Sequence, residues 1–223
     1  MSRRVTALNN TGINNLHRGF FAESIRSFRM AMECVNVAAQ NDHDMFEYGE
    51  PECFALPLFP VGLQSLHDAN ALQISPHNTF DVYQTAFAFP KMNNSRLFRS
   101  EISLVLFYNM ALTHHLAVLS GMKQSQCHLE QAVKFYKLAL TVFKSSPDMR
   151  LDETCYAVVL GALVNLGHLF VHVGCYEDAI SCRRRLEDFL ECPNVVIGLS
   201  EDDGDFFFSV LSFSAEFVAA PAA

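Results

Sequence analysis

CYAVVLGALVNLGHLFVHVGCY, from Cys155 to Tyr176, holds no Asp, Glu, Lys or Arg. A charge-free run of this length is long enough to cross a bilayer. The residues that follow, EDAISCRRRLEDFL from Glu177 to Leu190, read as a charged amphipathic helix. The run is therefore either a membrane span or the inner helix of a packed pair. Asn165, His168 and His172 lie inside it, and such side chains are costly at bilayer depth. Arg183, Arg184 and Arg185 stand beyond a turn and part of a helix instead of flanking the apolar run, so the usual charge anchor is weak. A helix packed on two sides can be apolar nearly all round. The residues favour a packed helix in a protein that sits in water.

The totals agree with a folded chain. Half of the 223 residues are hydrophobic and 18% are charged, with 20 Phe and no Trp. That composition supports one domain with a sizeable core. The net charge of −8 is uneven, because residues 1–40 carry five Arg against two Glu and residues 187–223 carry eight acids and no base. An acidic chain lacks the broad basic footprint of a nucleic-acid binder, and no nucleic-acid partner is expected. Seven cysteines without a CxxC pair point to free thiols in a reducing compartment, the cytoplasm or the nucleus. The N-terminus, MSRRVTALNNTGINN, has no apolar run behind its arginines and does not read as a secretory signal.

Three segments can be laid over one another: NTGINNLHRGFFAESIRSFRMAM from Asn10, NMALTHHLAVLSG from Asn109 with LEQAVKFYKLAL from Leu129, and NLGHLFVHVGCYEDAISCRRRL from Asn165. The last shows Leu166, Gly167, Phe170, Gly174, Tyr176 and Ala179. The first shows Gly12, Gly19, Phe21, Ser24, Phe28 and Ala31, and the middle one Ala111, Ala132, Tyr136 and Ala139. Small residues let helix backbones approach while an aromatic ring fills the space beside them, and spacings of three, four and seven keep them on one face. Gly19 and Gly174 would end the first helix of their units, since glycine accepts a left-handed cap.

This skeleton resembles the tetratricopeptide (TPR) repeat, a helix-turn-helix unit of about 34 residues. The resemblance covers roughly 100 residues and is strict only in the third copy. Arg183 and Leu186 replace the usual Phe and Ala there, and SGMKQSQCH interrupts the middle copy. It implies a mainly α fold of antiparallel helical hairpins stacked as a solenoid. Residues 1–40 form the first hairpin, 41–97 an irregular, partly extended insert, 98–192 two further hairpins and 193–223 an acidic, aromatic tail, all in one structural domain.

In such arrays the first helix of each pair lines a concave groove. The resemblance places Thr6, Asn9, Ile13, Leu16 and His17 there from the first unit. Val105, Tyr108, Leu112, His115 and Leu116 come from the second, and Gly161, Val164, His168, Val171 and His172 from the third. Of the residues that grip a peptide's terminal carboxylate in the best-known version, only Asn9 matches, so a groove for an apolar or amphipathic segment is implied. An alternative is that residues 41–97 fill the groove themselves. Within that insert, ALPLFPVGLQ carries prolines that oppose a helix interior, and TFDVYQTAFAFP reads as a strand or extended run. FFFSVLSF from Phe206 is either a second strand that pairs with it or a helix that caps the array.

Little else suggests chemistry. His168 and His172 share one helix face at a spacing that metal sites use, and His114 or His115 could supply a third ring. No HExxH is present and the nearest acids, Glu177 and Asp178, lie past the turn, so the rings are read as packing residues and no metal or other cofactor is expected. Arg183 to Arg185 are read as a helix face paired with Glu187, Asp188 and Glu191. Phosphate loops, GxSxG elbows and activated cysteines are missing from the sequence. The expectation is a non-catalytic scaffold or adaptor that binds a protein or peptide in its groove. The alternatives are an enzyme built on His114, His115, His168 and His172, and a structural protein that self-associates.

Overall fold

Three glycines with positive φ punctuate the chain at matching places: Gly19 at 71°, Gly121 at 69° and Gly174 at 75°. Each ends a long helix in the same way. The residue after the glycine donates its N–H five residues back, Phe20 to Asn15, Met122 to Ala117 and Cys175 to Phe170. The glycine itself donates three residues back, to Leu16, Val118 and Val171. This Schellman pair of bonds satisfies carbonyls that a helix end leaves open, and it reverses the chain at a residue free of the Cβ penalty. Three identical stops produce three helical pairs. The interruption in the middle copy is thus a loop around the same stop.

The computed structural model describes residues 2–41, 59–62, 81–89, 99–146 and 153–214. Among these the chain is mainly helical. The first pair is α1 (Ser2–His17) and α2 (Phe21–Asn41), the second α3 (Arg99–Leu119) and α4 (Ser125–Ser145), and the third α5 (Glu153–His172) and α6 (Tyr176–Leu190). Each helix packs on its pair mate, and the pairs join through α2 against α3 and α4 against α5. The first helices also touch one another, α1 on α3 and α3 on α5. After them come a short helix α7 (Pro193–Ile197) and α8 (Glu201–Ser214), which packs on α5 and α6. Among the two options for Phe206 onward, the structure takes the helix, with residues 215–217 outside the described part.

The strand that the insert supplies is β2 (Thr85–Ala88), and its partner is β1 (Phe59–Gly62) from the proline-containing run. They pair antiparallel with Pro60 opposite Phe87 and Val61 opposite Ala86. Of the two alternatives for the tail, pairing with the extended run of the insert is the one not taken, and β2 finds its partner inside the same insert. An acidic start of the tail explains the difference: Glu201, Asp202 and Asp203 occupy the first turn of α8, where carboxylates favour a helix N-terminus. Ser200 and Asp203 close a reciprocal cap, the Ser200 hydroxyl lying 2.6 Å from Asp203 Oδ2 and accepting the Asp203 N–H at 3.2 Å.

Most of the small and aromatic residues singled out in the three segments are buried. Ala31, Ala111, Ala132, Tyr136 and Ala139 are fully buried, and Leu166, Phe170 and Ala179 nearly so. Gly167 is buried too. Ser24, fully buried, donates to the Gly12 carbonyl at 2.9 Å and meets Thr113 Oγ1 at 3.3 Å, joining α2 to both α1 and α3. Tyr176 departs from this pattern. It stands 54% exposed at the start of α6 and does not fill the seam. Arg183 pairs with Glu187 at 2.9 Å, as the spacing on that helix implies.

Two helices are long and apolar enough to cross a membrane, Arg99–Leu119 and the run from Cys155 to His172, and their apolar windows are 83% and 89% buried within the protein. The first was not singled out by its sequence, since Arg99 and Glu101 open it. Length and composition are those of a span, while burial is that of a core helix.

Gly12 marks a close approach of α1 and α2: a Cβ there would fall 2.6 Å from the Phe28 ring. Gly12→Ala should therefore lower the free energy of unfolding by about 1–3 kcal/mol in spite of better helix propensity. Gly204, in α8 with nothing within 4 Å of such a Cβ, provides the control. Gly204→Ala should raise it by about 0.5–1 kcal/mol, and urea unfolding of both variants checks the contrast.

Candidate functional site

Residues 81–89 run as an extended segment across the first helices, and three asparagines hold its main chain. Asn165 of α5 accepts the Tyr83 N–H at 2.8 Å and donates to the Tyr83 carbonyl at 3.0 Å. Asn109 of α3 does the same for Phe87, accepting its N–H at 3.0 Å and donating to its carbonyl at 2.8 Å. Asn9 of α1 also donates to that carbonyl at 3.0 Å, and its own Oδ1 accepts from Asn109 at 3.0 Å. All three asparagines are 0% exposed. The amide orientations follow from this network, since both ends of each side chain face groups of fixed polarity.

The geometry is that of a surrogate strand edge. In an antiparallel ladder alternate residues turn both main-chain groups to the same side. Phe87 spends its N–H and carbonyl on asparagines, so its pairing with Pro60 is a non-hydrogen-bonded one, where a proline loses nothing by having no N–H. One edge of β2 therefore meets β1 and the other meets the asparagines. The segment runs from α5 toward α1, opposite to the order of the helices.

Side chains of the segment are gripped as firmly. Tyr83, Ala86, Phe87 and Phe89 are 0–3% exposed. The Tyr83 ring lies over Gly161, where a Cβ would fall 2.4 Å from it. It packs against Phe206 and Phe207 of α8 at centroid distances of 5.2 and 4.8 Å. Its hydroxyl donates to Asp203 Oδ1 at 2.5 Å. Burial first, then the neighbouring Asp203 charge, pushes the Tyr83 hydroxyl far above the usual phenol range, so it stays a donor. Phe87 meets Tyr108 edge to face at 5.3 Å.

Behind the asparagines lies a chain of rings. Asn165 donates to the Tyr136 hydroxyl at 3.0 Å, Tyr136 meets His115 Nδ1 at 3.4 Å, and His115 Nε2 meets His168 Nδ1 at 3.1 Å. With Asn165 as the first donor, Tyr136 donates onward to Nδ1 of His115, whose proton then sits on Nε2 and points at His168. Hydrogen bonds aligned in one direction reinforce one another in a dry interior. Burial, followed by the nearby imidazoles, lowers His115 well below the ordinary histidine value and brings His168 to about 4. A second pair, His114 and His128, shares a 2.8 Å contact between Nδ1 atoms. Burial, then His128 and Arg29, lowers His114 to about 4.

The residues placed in the groove from the sequence divide accordingly. Asn9 holds the segment directly, and Tyr108 touches it through its ring and through a 3.4 Å bond from its hydroxyl to the Tyr83 carbonyl. Gly161 makes room for Tyr83. Ile13, Leu112, Leu116 and Val164 are core residues, at most 4% exposed. His17 is half-buried at the end of α1, and His172 is exposed. The four histidines do not converge: His115 pairs with His168, and His114 with His128. Among the described residues no three His, Cys, Asp or Glu side chains form a group that could hold a metal.

Asn109 and Asn165, the principal holders of the segment, were not placed in the groove from the sequence. A signal was present, because all three aligned segments open on asparagine two residues before the small position at Gly12, Ala111 or Gly167. In the first unit the adjacent Asn9 makes the contact, while Asn10 keeps a buried Oδ1 with no hydrogen-bond partner among the described residues.

Asn109→Ala would strip partners from the buried Phe87 N–H and from Asn9 Oδ1, and should cost about 2–5 kcal/mol in urea unfolding. Amide exchange at Phe87 should accelerate by at least the same factor. The histidines set an acid limit. Their folded values lie below the unfolded value of 6.5, so the unfolded chain binds more protons between pH 6.5 and about 4, and stability falls as pH is lowered through that window. For His168 alone the loss is on the order of 3 kcal/mol. Thermal unfolding from pH 7.5 to 4.5 should show a shallower decline for His168→Gln than for the parent. No family model matches the chain, and neither a curated protein nor a solved structure matches it.

Proposed function

We propose that the chain is a non-catalytic protein-binding module of TPR-like helical hairpins, acting as a scaffold or adaptor in the cytoplasm or nucleus. Its working surface is the face of α1, α3 and α5, which holds an extended segment of protein by the main chain. One observation carries the reading: Asn109 and Asn165 each take both the N–H and the carbonyl of one residue of such a segment. Recognition of this kind is largely independent of side chains and gives affinity to any strand that reaches it, while pockets for alternate side chains give selectivity.

The three matching helix ends at Gly19, Gly121 and Gly174 and the close approach at Gly12 support the TPR-like description. Residues 81–89 occupy the face in this structure, so a partner segment binds by replacing them. The catalytic alternative finds less support, since the histidines fall into two separate pairs, one buried and one part-buried, and His115 and His168 are held neutral at pH 7. A partner of another class, nucleic acid or a cofactor, has no comparable cradle among the described residues.

A displayed library of linear peptides tests the reading. Selection against the full chain carrying Phe87→Ala, which loosens the resident segment, should enrich peptides that bind with micromolar Kd. Their binding should fall at least tenfold when Asn165→Ala is added. A variant shown to be folded by circular dichroism that enriches no peptide would remove the proposal.

A further inference from the structure

Resting on that reading, we infer that the partner presents an extended segment with a tyrosine followed four residues later by a phenylalanine, and that it competes with residues 81–89 for the same two sockets. The first socket is built for a phenol. Gly161 leaves room for a flat ring where any side chain would collide with it. Phe206 and Phe207 pack against the same ring. Asp203 waits at the ring's far end, and Ser200 fixes that carboxylate through its hydroxyl at 2.6 Å. A phenylalanine would fill the space but leave the acceptor on Asp203 without its donor. Selection for the hydroxyl follows, because the Tyr83–Asp203 bond is part-buried and a site that hydrogen-bonds a hydroxyl rejects an analogue that lacks it better than apolar packing rejects a change of size.

The second socket takes an apolar ring against the edge of Tyr108. Between them, the spacing is set by the main chain. Residues of the same parity turn their N–H and carbonyl to one edge, and Asn165 and Asn109 reach two residues of that parity four apart, Tyr83 and Phe87. A ligand with its aromatic residues three or five apart would place one of the two main-chain pairs on the wrong edge.

Exchange is compatible with the connections. Thirty-nine residues separate Asn41 from Asp81 and nine separate Phe89 from Arg99. Nine residues span at most about 30 Å when extended, which bounds how far residues 81–89 can travel from α3. The resident segment then acts as a tethered competitor, which lowers the apparent affinity of a free ligand by the fraction of molecules whose face is open.

The test uses a fluorescein-labelled synthetic peptide with the sequence of residues 81–90, DVYQTAFAFP, titrated by anisotropy into the full chain. The Phe87→Ala protein should bind it at least about tenfold more tightly than the parent protein. Replacing the peptide's tyrosine by phenylalanine should weaken binding about tenfold, and replacing its first phenylalanine by alanine should weaken it at least as much. Adding Asp203→Ala to the protein, which removes the acceptor, should erase most of the tyrosine preference. Equal binding of the tyrosine and phenylalanine peptides would overturn the phenol socket, and equal binding by parent and Phe87→Ala protein would overturn the competition. If Phe87→Ala does not fold by circular dichroism, Phe87→Leu takes its place with the same expectations at smaller ratio. Should library peptides bind while this peptide does not, the inference falls and the peptide-binding function stands. Should no peptide bind a folded variant, both fall.

Discussion

The structure depends on one requirement: the main-chain groups of a strand placed against helices must find partners. A helix offers none from its own backbone, because its N–H and carbonyl groups are already spent along the axis. A strand laid across a layer of helices would bury several unpaired groups at about 1–3 kcal/mol each. Asparagine resolves this, since its side chain carries one acceptor and two donors in the arrangement of a peptide unit. With Asn165 and Asn109 projecting from α5 and α3, two helices imitate the edge of a sheet. The apolar contacts of Tyr83 and Phe87 become available only because the amides beside them are satisfied.

That arrangement reaches further into the core than the segment it holds. Asn165 also donates to Tyr136, and from there the chain of bonds passes to His115 and His168. Each member fixes the direction of the next, so the orientation of the asparagine is set by residues on α3, α4 and α5 together. Two imidazoles inside an apolar seam would otherwise be a poor choice. Here they extend the polar relay without introducing charge, as burial keeps both of them neutral at pH 7. Acid that protonates either ring would disturb the relay, and the clamp on Tyr83 with it.

Much of the helical frame was legible because it rests on local rules. Gly19 and Gly174 announced helix ends, the small positions at Gly12 and Ala132 announced close packing, and the prolines of 56–61 argued against a helix. The site was less legible. Aligning the units on apolar and small residues directs attention to Ile13, Leu112 and Val164, which turn out to be core. The asparagines beside them, Asn109 and Asn165, looked like ordinary polar residues near the middle of a helix. Their meaning depends on a segment 22 and 82 residues away in sequence, and no local pattern reports what such a side chain will face. Tyr176 departs in the other direction: with Val173 at 41% and Ile180 at 43% exposure near it in sequence, that end of the seam is left open.

The pairing of β1 with β2 bears on how the segment could be held and yet exchanged. A strand with a free edge invites further strands and aggregation. In β2 both edges are used, one by β1 and the other by asparagine side chains, and Pro60 falls where a missing N–H costs nothing. Were the segment to leave the helices together with β1, the edge that asparagine had covered would be exposed, and the helices in turn would expose amides whose need is for another strand. Each side is then left with an unsatisfied edge that the other can cover, which favours rebinding of the tethered segment over an open state. A ligand that replaced it in trans would have to offer the same edge, because apolar surface alone would leave the amides of Asn109 and Asn165 buried without partners.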